Sequence, residues 1–208
     1  MAGRQDIQDA LKDIHAGKVV YDEPMSRHTS LNVGGNADAI VLIENENQLV
    51  EVIQRLKAKG IKYFSAGNLT NVIVRDGGFK GVILRMTEMK DVHLENMPGE
   101  GYFISAQAGA SLAKVVSRSL TEELTGLEFC AGIPGSVGGA IWMNAGAYGK
   151  EMKDVIKEVH VLNDAGLKKT MNQNEISFSY RHTDFPDGTI ILEARFKLEK
   201  GERSKIKE

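Results

Sequence analysis

The chain has 208 residues with 26 basic and 28 acidic side chains interspersed, for a formal net charge of -2, so no basic field draws it to nucleic acid or to an anionic membrane. Cys130 is its single cysteine, which excludes an intrachain disulfide and a cysteine-built zinc site and fits a reducing cytoplasm. The opening MAGRQDIQDALKDIHAG lacks the apolar run of a signal peptide, no stretch approaches the roughly 20 apolar residues of a membrane span, and the length supports a sizeable core without staples.

In chain order, Ile7, Leu11 and Ile14 recur at near-helical spacing over 5–16, with Gly17 as a stop signal, and predict a short amphipathic helix. Residues 37–44 (ADAIVLIE) read as a buried strand. Leu49, Val52, Ile53 and Leu56 form the apolar stripe of a helix that Gly60 ends, and 61–66 (IKYFSA) read as a second strand. Strand, helix and strand in that order predict a βαβ unit with parallel strands, and the loop at the carboxyl end of such a strand is a usual ligand site. That loop is GNLTN, residues 67–71. Further strands are expected at 71–76 (NVIVRD) and 81–86 (GVILRM), joined by the Gly77-Gly78 turn.

A second lobe is expected from residue 87, with a strand at 102–108 and a helix at about 111–124 capped by Ser111. Strands at 155–164 and 166–171 flank an Asp-Ala-Gly turn, and 189–200 supply a last alternating strand. The resulting expectation is an α+β chain: a βαβ first lobe over 1–86, a mixed, mostly antiparallel second lobe over 87–202, and a connection beginning at 203–208.

Residues 131–149, AGIPGSVGGAIWMNAGAYG, hold six glycines in nineteen positions, against about two at the average for a globular composition. Glycine lets backbone approach a ligand and take positive φ, so that successive N–H groups converge on phosphate oxygens. The apolar run from Val137 to Met143 predicts a helix whose positive end faces the same anion. The bland alternative is a tight turn packed on a helix. The loop at 67–71 reads equally as an ordinary turn, although Thr70 and Asn71 offer a hydroxyl and an amide to a phosphate. A third candidate is 28–38 (HTSLNVGGNAD), where Thr29, Gly34 and Gly35 precede a strand. GxxxxGK[ST] is absent and no GxGxxG joins a strand to a helix, so two phosphate loops without these signatures point to one extended ligand with a pyrophosphate.

HTSLNVGGNADAIV, AGNLTNVIVRDGGFKGVI, GIPGSVGGAIWMNAGAYG and FSYRHTDF, in this order and spacing, resemble the UDP-N-acetylenolpyruvoylglucosamine reductase family. The resemblance runs from about residue 20 to residue 208. It implies the two-lobed FAD-binding fold of the vanillyl-alcohol-oxidase type, with Gly67, Asn68, Leu69, Thr70, Asn71, Gly132, Pro134, Gly135, Ser136, Gly138 and Gly139 on the cofactor. Leu69 departs from the family's usual second glycine, so its side chain must find room away from the pyrophosphate. Also implied are NADPH as reductant, a UDP-sugar substrate, a cytoplasmic location and no obligate protein partner. Arg181 would meet the charge that hydride addition pushes onto the enolpyruvyl carboxylate, and Tyr180 would line the substrate pocket.

In the family a third lobe carries a proton-donating serine and a glutamate, expected beyond residue 208, so this chain is expected to bind FAD but to turn substrate over poorly. Two other readings stay open: an oxidase of the same superfamily, and a non-enzymatic flavin-binding fragment. The histidines (15, 28, 93, 160 and 182) lack metal spacing, Cys130 reads as packing, and Trp142 and the methionines as core.

Overall fold

The computed structural model describes residues 3–14 and 18–202; His15, the Gly17 stop signal and the expected connection at 203–208 lie outside them. The chain divides into two compact units, Met1–Met89 and Lys90–Glu208.

In the first unit α1 (Arg4–Leu11) buries Ile7, Ala10 and Leu11. It stops before Ile14 because Lys12 is extended and Asp13 takes φ 57°, and the Arg55 guanidinium donates to the Lys12 carbonyl at 2.6 Å. After β1 (Val19–Pro24) and β2 (Asn36–Leu42), Asn45 caps α2 (Glu46–Ala58) by accepting from the Gln48 N–H at 3.0 Å. Gly60, at φ 62°, lets its own N–H reach the Lys57 carbonyl and that of Ile61 reach the Leu56 carbonyl, closing the helix as expected. β3 (Tyr63–Ala66) and β4 (Phe79–Arg85) complete a sheet of order β1-β2-β4-β3. β4 runs parallel to both β2 and β3, while β1 is antiparallel to β2.

The strand expected at 71–76 does not form. β4 already has a neighbour on each side, so NVIVRD has no inner edge to join. It crosses the sheet as an irregular segment instead, with Val72 and Val74 packed on the cluster of Met25, Ala37, Ile40, Ala66, Leu69 and Ile83. The third sequence candidate is explained by the same contact. The Gly35 N–H donates to the Arg75 carbonyl at 3.1 Å, and a Cβ on Gly35 would lie 2.1 Å from the Asp76 carbonyl oxygen. Thr29 donates its hydroxyl to the Val33 carbonyl at 2.7 Å. These residues weld one loop onto another.

The second unit opens with β5 (Val92–Met97), β6 (Gly101–Gln107), α3 (Leu112–Thr121) and the short β7 (Leu124–Thr125). Ser111 caps α3 as expected, accepting from the Lys114 N–H at 3.2 Å. Then come α4 (Val137–Trp142), the two-residue strands β8 (Gly146–Ala147) and β9 (Lys150–Glu151), and β10 (Ile156–Leu162) paired with β11 (Lys168–Asn172). A hairpin of β12 (Ser177–Ser179) and β13 (His182–Asp184) precedes β14 (Ile190–Lys200). The main sheet has the order β11-β10-β14-β6-β5, all antiparallel, with β7 beside the end of β14. Its inner face presents Ile104, Ala106, Val159, Val161, Ala194 and Phe196 to Val137, Ala140 and Ile141 of α4. Each large side chain so buried is worth about 1.5–3 kcal/mol. On the outer face Arg195 lies 4.2 Å above the Phe103 ring and pairs with Glu95 at 2.6 Å, shielding the aromatic surface from water.

Gly35→Ala is expected to destabilise the chain by about 1–3 kcal/mol, because its methyl meets backbone that has nowhere to move. The check is urea unfolding, which should show a lower midpoint at an unchanged slope.

Candidate functional site

In the first unit the loop 67–71 leaves β3 at the carboxyl end of a parallel strand. Leu69 takes φ 58° there, a conformation that costs an L-residue about 1–2 kcal/mol. Its side chain, 2% exposed, points into the cluster of Met25, Ile40 and Ile83. The leucine thus stands where a left-handed turn favours glycine and spends its bulk on the core, clear of the loop's outer side. The N–H groups of Gly67, Asn68 and Leu69 donate to no acceptor among the described residues, and Asn71 is exposed.

Arg85, which the sequence reading passed over, sits beside this loop: it closes β4 opposite Ala66, the last residue of β3. Its Nη1 lies 3.0 Å from His28 Nδ1, and His28 Nε2 lies 2.9 Å from Glu23 Oε1. Arginine can only donate, so His28 accepts at Nδ1 and its ring hydrogen on Nε2 donates to Glu23. Arg85 Nε is buried with no partner among the described residues, and burial pulls the guanidinium below its ordinary range, offset in part by Glu88. An arginine ending a VILRM strand carries no sequence signal; only the sheet register puts it next to the loop.

The glycine segment lies in the second unit, and α4 begins inside it as expected. Its first amides, however, are already occupied. The Val137 N–H donates to the Ala110 carbonyl and the Gly138 N–H to the Ala108 carbonyl, both at 2.8 Å, and the Gly139 N–H donates to Ser136 Oγ at 3.4 Å. Gly138 is required by this contact: a Cβ there would lie 2.9 Å from the Ala108 Cβ. At the start of α4 these amides are spent on protein acceptors, and Gly138 and Gly139 contribute packing and capping. What remains open is the loop ahead of the helix. The N–H groups of Gly132, Gly135 and Ser136 donate to no described acceptor, Gly132 is exposed at φ 83° and Gly135 half-buried at φ 141°. Pro134, between them, has no N–H to offer.

Tyr180 and Arg181 form the two-residue loop of the β12-β13 hairpin, with Arg181 at φ 56°. Tyr180 is 81% exposed, and the Arg181 guanidinium carbon lies 5.6 Å from its ring centroid. Among the described residues no carboxylate pairs with Arg181, leaving an exposed cation ready for an anionic ligand. The hairpin is docked on α4 and the residues just after it. Thr183 Oγ1 donates to the Ile141 carbonyl at 2.6 Å, the Phe185 and Trp142 rings stack at 5.5 Å, and Asn144 Nδ2 donates to the Ser179 carbonyl at 3.0 Å. Trp142 is thus half-exposed, 41%, rather than the core filler expected of it. The glycine segment and the arginine turn, read separately in sequence, belong to one assembly.

Asn144, Glu151 and Tyr148 also escaped the sequence reading. Asn144 is fully buried. Glu151 accepts from Asn144 at 3.0 Å and lies 2.6 Å from Lys153 Nζ; the Lys153 hydrogen bond above all, then Asn144 and the charges of Lys153 and Arg181, hold its carboxyl below the usual range. Tyr148 is 91% exposed at φ 53° in the turn joining β8 and β9, an unusual conformation for a bulky side chain. Cys130 is buried, and burial pushes its thiol up to about 12.

A family model described as FAD binding domain matches residues 37–171. The chain is 43% identical over 200 residues to the UDP-N-acetylenolpyruvoylglucosamine reductase of Syntrophus aciditrophicus (strain SB), covering 96% of this chain and 64% of that protein. It is 38% identical to the reductase of that name from Enterococcus faecalis (strain ATCC 700802 / V583), covering 95% of this chain and 64% of that protein. Among solved structures, UDP-N-acetylenolpyruvylglucosamine reductase from Thermus caldophilus matches with a TM-score of 0.75 at 29% identity, over 92% of this chain and 65% of that one. A solvent-stable cholesterol oxidase matches with a TM-score of 0.66 at 13% identity, which shows a shared fold alone. The chain therefore spans just under two thirds of the length of these reductases.

Leu69→Gly is expected to lower stability by about 1–4 kcal/mol, since the lost core volume outweighs the relieved left-handed strain; an increase in the urea midpoint would contradict this. Iodoacetamide should leave native Cys130 unmodified at neutral pH, where a thiol titrating near 12 is almost wholly protonated, and should label it rapidly once urea unfolds the chain.

Proposed function

Because the chain belongs to the FAD-binding domain family, we propose that it is the flavin-binding part of a reductase that uses NADPH to convert UDP-N-acetylenolpyruvoylglucosamine to UDP-N-acetylmuramate, a step of cell-wall precursor synthesis. The observation that carries this reading is Arg181: an exposed guanidinium without a carboxylate partner, at a hairpin tip docked on the glycine-rich segment.

The residues present suit FAD. Unpartnered N–H groups at Gly132, Gly135 and Ser136, and at Gly67, Asn68 and Leu69 in the first unit, are donors for phosphate oxygens. Charge-assisted bonds of this kind are worth roughly 1.5–3 kcal/mol each, so a few suffice without a lysine or arginine in either loop. Thr70 and Asn71 add a hydroxyl and an amide, Pro134 keeps the second loop rigid, and Gly138 and Gly139 hold it in place. The bound flavin supplies hydride transfer. The chain supplies charge: addition of hydride to the β carbon drives electron density onto the enolpyruvyl carboxylate, and Arg181 clamps that carboxylate in a planar, two-pronged contact. The exposed Tyr180 ring flanks the guanidinium and offers the sugar nucleotide a flat apolar surface. Among the described residues no helix is long and apolar enough to cross a membrane.

The purified chain supplied with FAD should acquire a bound-flavin spectrum, and NADPH should bleach it under anaerobic conditions. Failure to bind flavin would sink the proposal. In a protein that also carries the family's third lobe, Arg181→Ala should keep both properties and slow reoxidation of the reduced flavin by the enolpyruvyl sugar about 100-fold or more. Reoxidation at the wild-type rate removes Arg181 from its assigned role.

A further inference from the structure

An exposed arginine at the tip of a two-residue loop has no side-chain packing of its own to place it, and its long side chain carries about 2 kcal/mol of rotamer entropy. Apart from the Tyr180 ring, among the described residues nothing touches the Arg181 guanidinium closely enough to hold it. Its position is therefore set by the backbone of the hairpin.

That backbone is tied down at two points. On the far side of the turn Thr183 Oγ1 donates to the Ile141 carbonyl at 2.6 Å. On the near side, two residues before Arg181, the Ser179 carbonyl accepts from Asn144 Nδ2 at 3.0 Å. Asn144 is 0% exposed and takes φ 41°, a conformation that asparagine tolerates better than most residues. Both polar atoms of its carboxamide are engaged. The second Nδ2 bond goes to Glu151 Oε2 at 3.0 Å, and Oδ1 accepts from the Lys153 N–H at 3.1 Å. One buried side chain thus joins three segments: the residues following α4, strand β9 with the turn after it, and the arginine hairpin. The same junction keeps a carboxylate within electrostatic reach of Arg181 while binding it to Asn144 and Lys153, so the guanidinium feels the charge without being captured by it.

We infer that Asn144 is the positioning residue of the Tyr180-Arg181 turn: its carboxamide, held by Glu151 and the Lys153 backbone, fixes the Ser179 carbonyl and with it the place from which Arg181 reaches a bound carboxylate. The functional half of this inference rests on the role proposed for Arg181; the structural half does not.

The test is Asn144→Asp, which keeps the shape and the acceptor but replaces the donating amide by an oxygen. Hydrogen exchange on the flavin-loaded chain should show the amides of Ser179 and His182 exchanging roughly tenfold faster, the loss of about one hydrogen bond, with β10 and β14 unchanged. Adding Glu151→Gln to Asn144→Asp restores a donor–acceptor pair between positions 144 and 151 but not the bond to Ser179, so the double variant should regain thermal stability while its turn still exchanges fast. In single-turnover experiments on a protein that also carries the family's third lobe, Asn144→Asp should leave flavin reduction by NADPH unchanged and slow reoxidation by the enolpyruvyl sugar in the direction of Arg181→Ala. Unchanged exchange at the turn, or faster exchange spread evenly over the unit, overturns the inference. If Arg181→Ala itself reoxidises normally, the catalytic reading of Arg181 fails, and the exchange data still decide whether Asn144 positions the turn.

Discussion

The docking of α4 onto the turn between β6 and α3 is the contact on which the second unit's functional surface depends. Two backbone N–H groups at the start of this helix donate to the carbonyls of Ala110 and Ala108, and the approach is close enough that Gly138 has no room for a methyl. A helix this short, Val137–Trp142, cannot hold itself together in water; here it is held by these bonds, by the Ser136 cap and by burial of Val137, Ala140 and Ile141. Once seated, it presents the loop of Gly132 to Ser136 on one side and a platform for the hairpin of Tyr180 and Arg181 on the other. The glycine motif therefore serves largely as a mounting, and among the described residues it is the part ahead of the helix, at Gly132, Gly135 and Ser136, whose N–H groups lack acceptors.

The two kinds of polar group in the unit follow from this mounting. Groups that build it are satisfied: both amide hydrogens of Asn144 and its carbonyl oxygen are hydrogen-bonded, and Thr183 reaches a helix carbonyl. The loop amides and the exposed Arg181 guanidinium lack protein partners among the described residues. Buried polar groups are costly unless satisfied, whereas exposed ones remain free for a ligand. In the first unit Leu69 makes the same division within one residue, its side chain in the core and its N–H without an acceptor among the described residues.

Much of the fold was legible because its cues are local. The stripe of Leu49, Val52, Ile53 and Leu56 with Gly60 behind it, the Ser111 cap, and the turn between β10 and β11 each depend on neighbours a few residues away. The strand expected over NVIVRD failed for a non-local reason: alternation of apolar residues is satisfied as well by packing on a face of the sheet as by pairing at its edge, and β4 had no edge left. β1 and β5 were missed because their apolar residues are interrupted by charged ones, and it is their partners β2 and β6 that make them strands.

For the site, the sequence alone singled out the segments proposed to carry chemistry: the glycine-rich loop of 131–149, the loop after β3 and the arginine of SYRHT. Their residue types limit what they can do, since glycine density permits free backbone donors and arginine remains a cation. Only the tertiary structure decided how each is used. Whether an amide meets a ligand or a carbonyl depends on what the fold brings beside it, and so the glycines split between mounting and donor, Leu69 turned its bulk inward, and Arg85 came to lie beside the first loop. Asn144, one polar residue among small ones in the sequence, became the tie between the glycine segment and Arg181 because burial left its amide no water to bind.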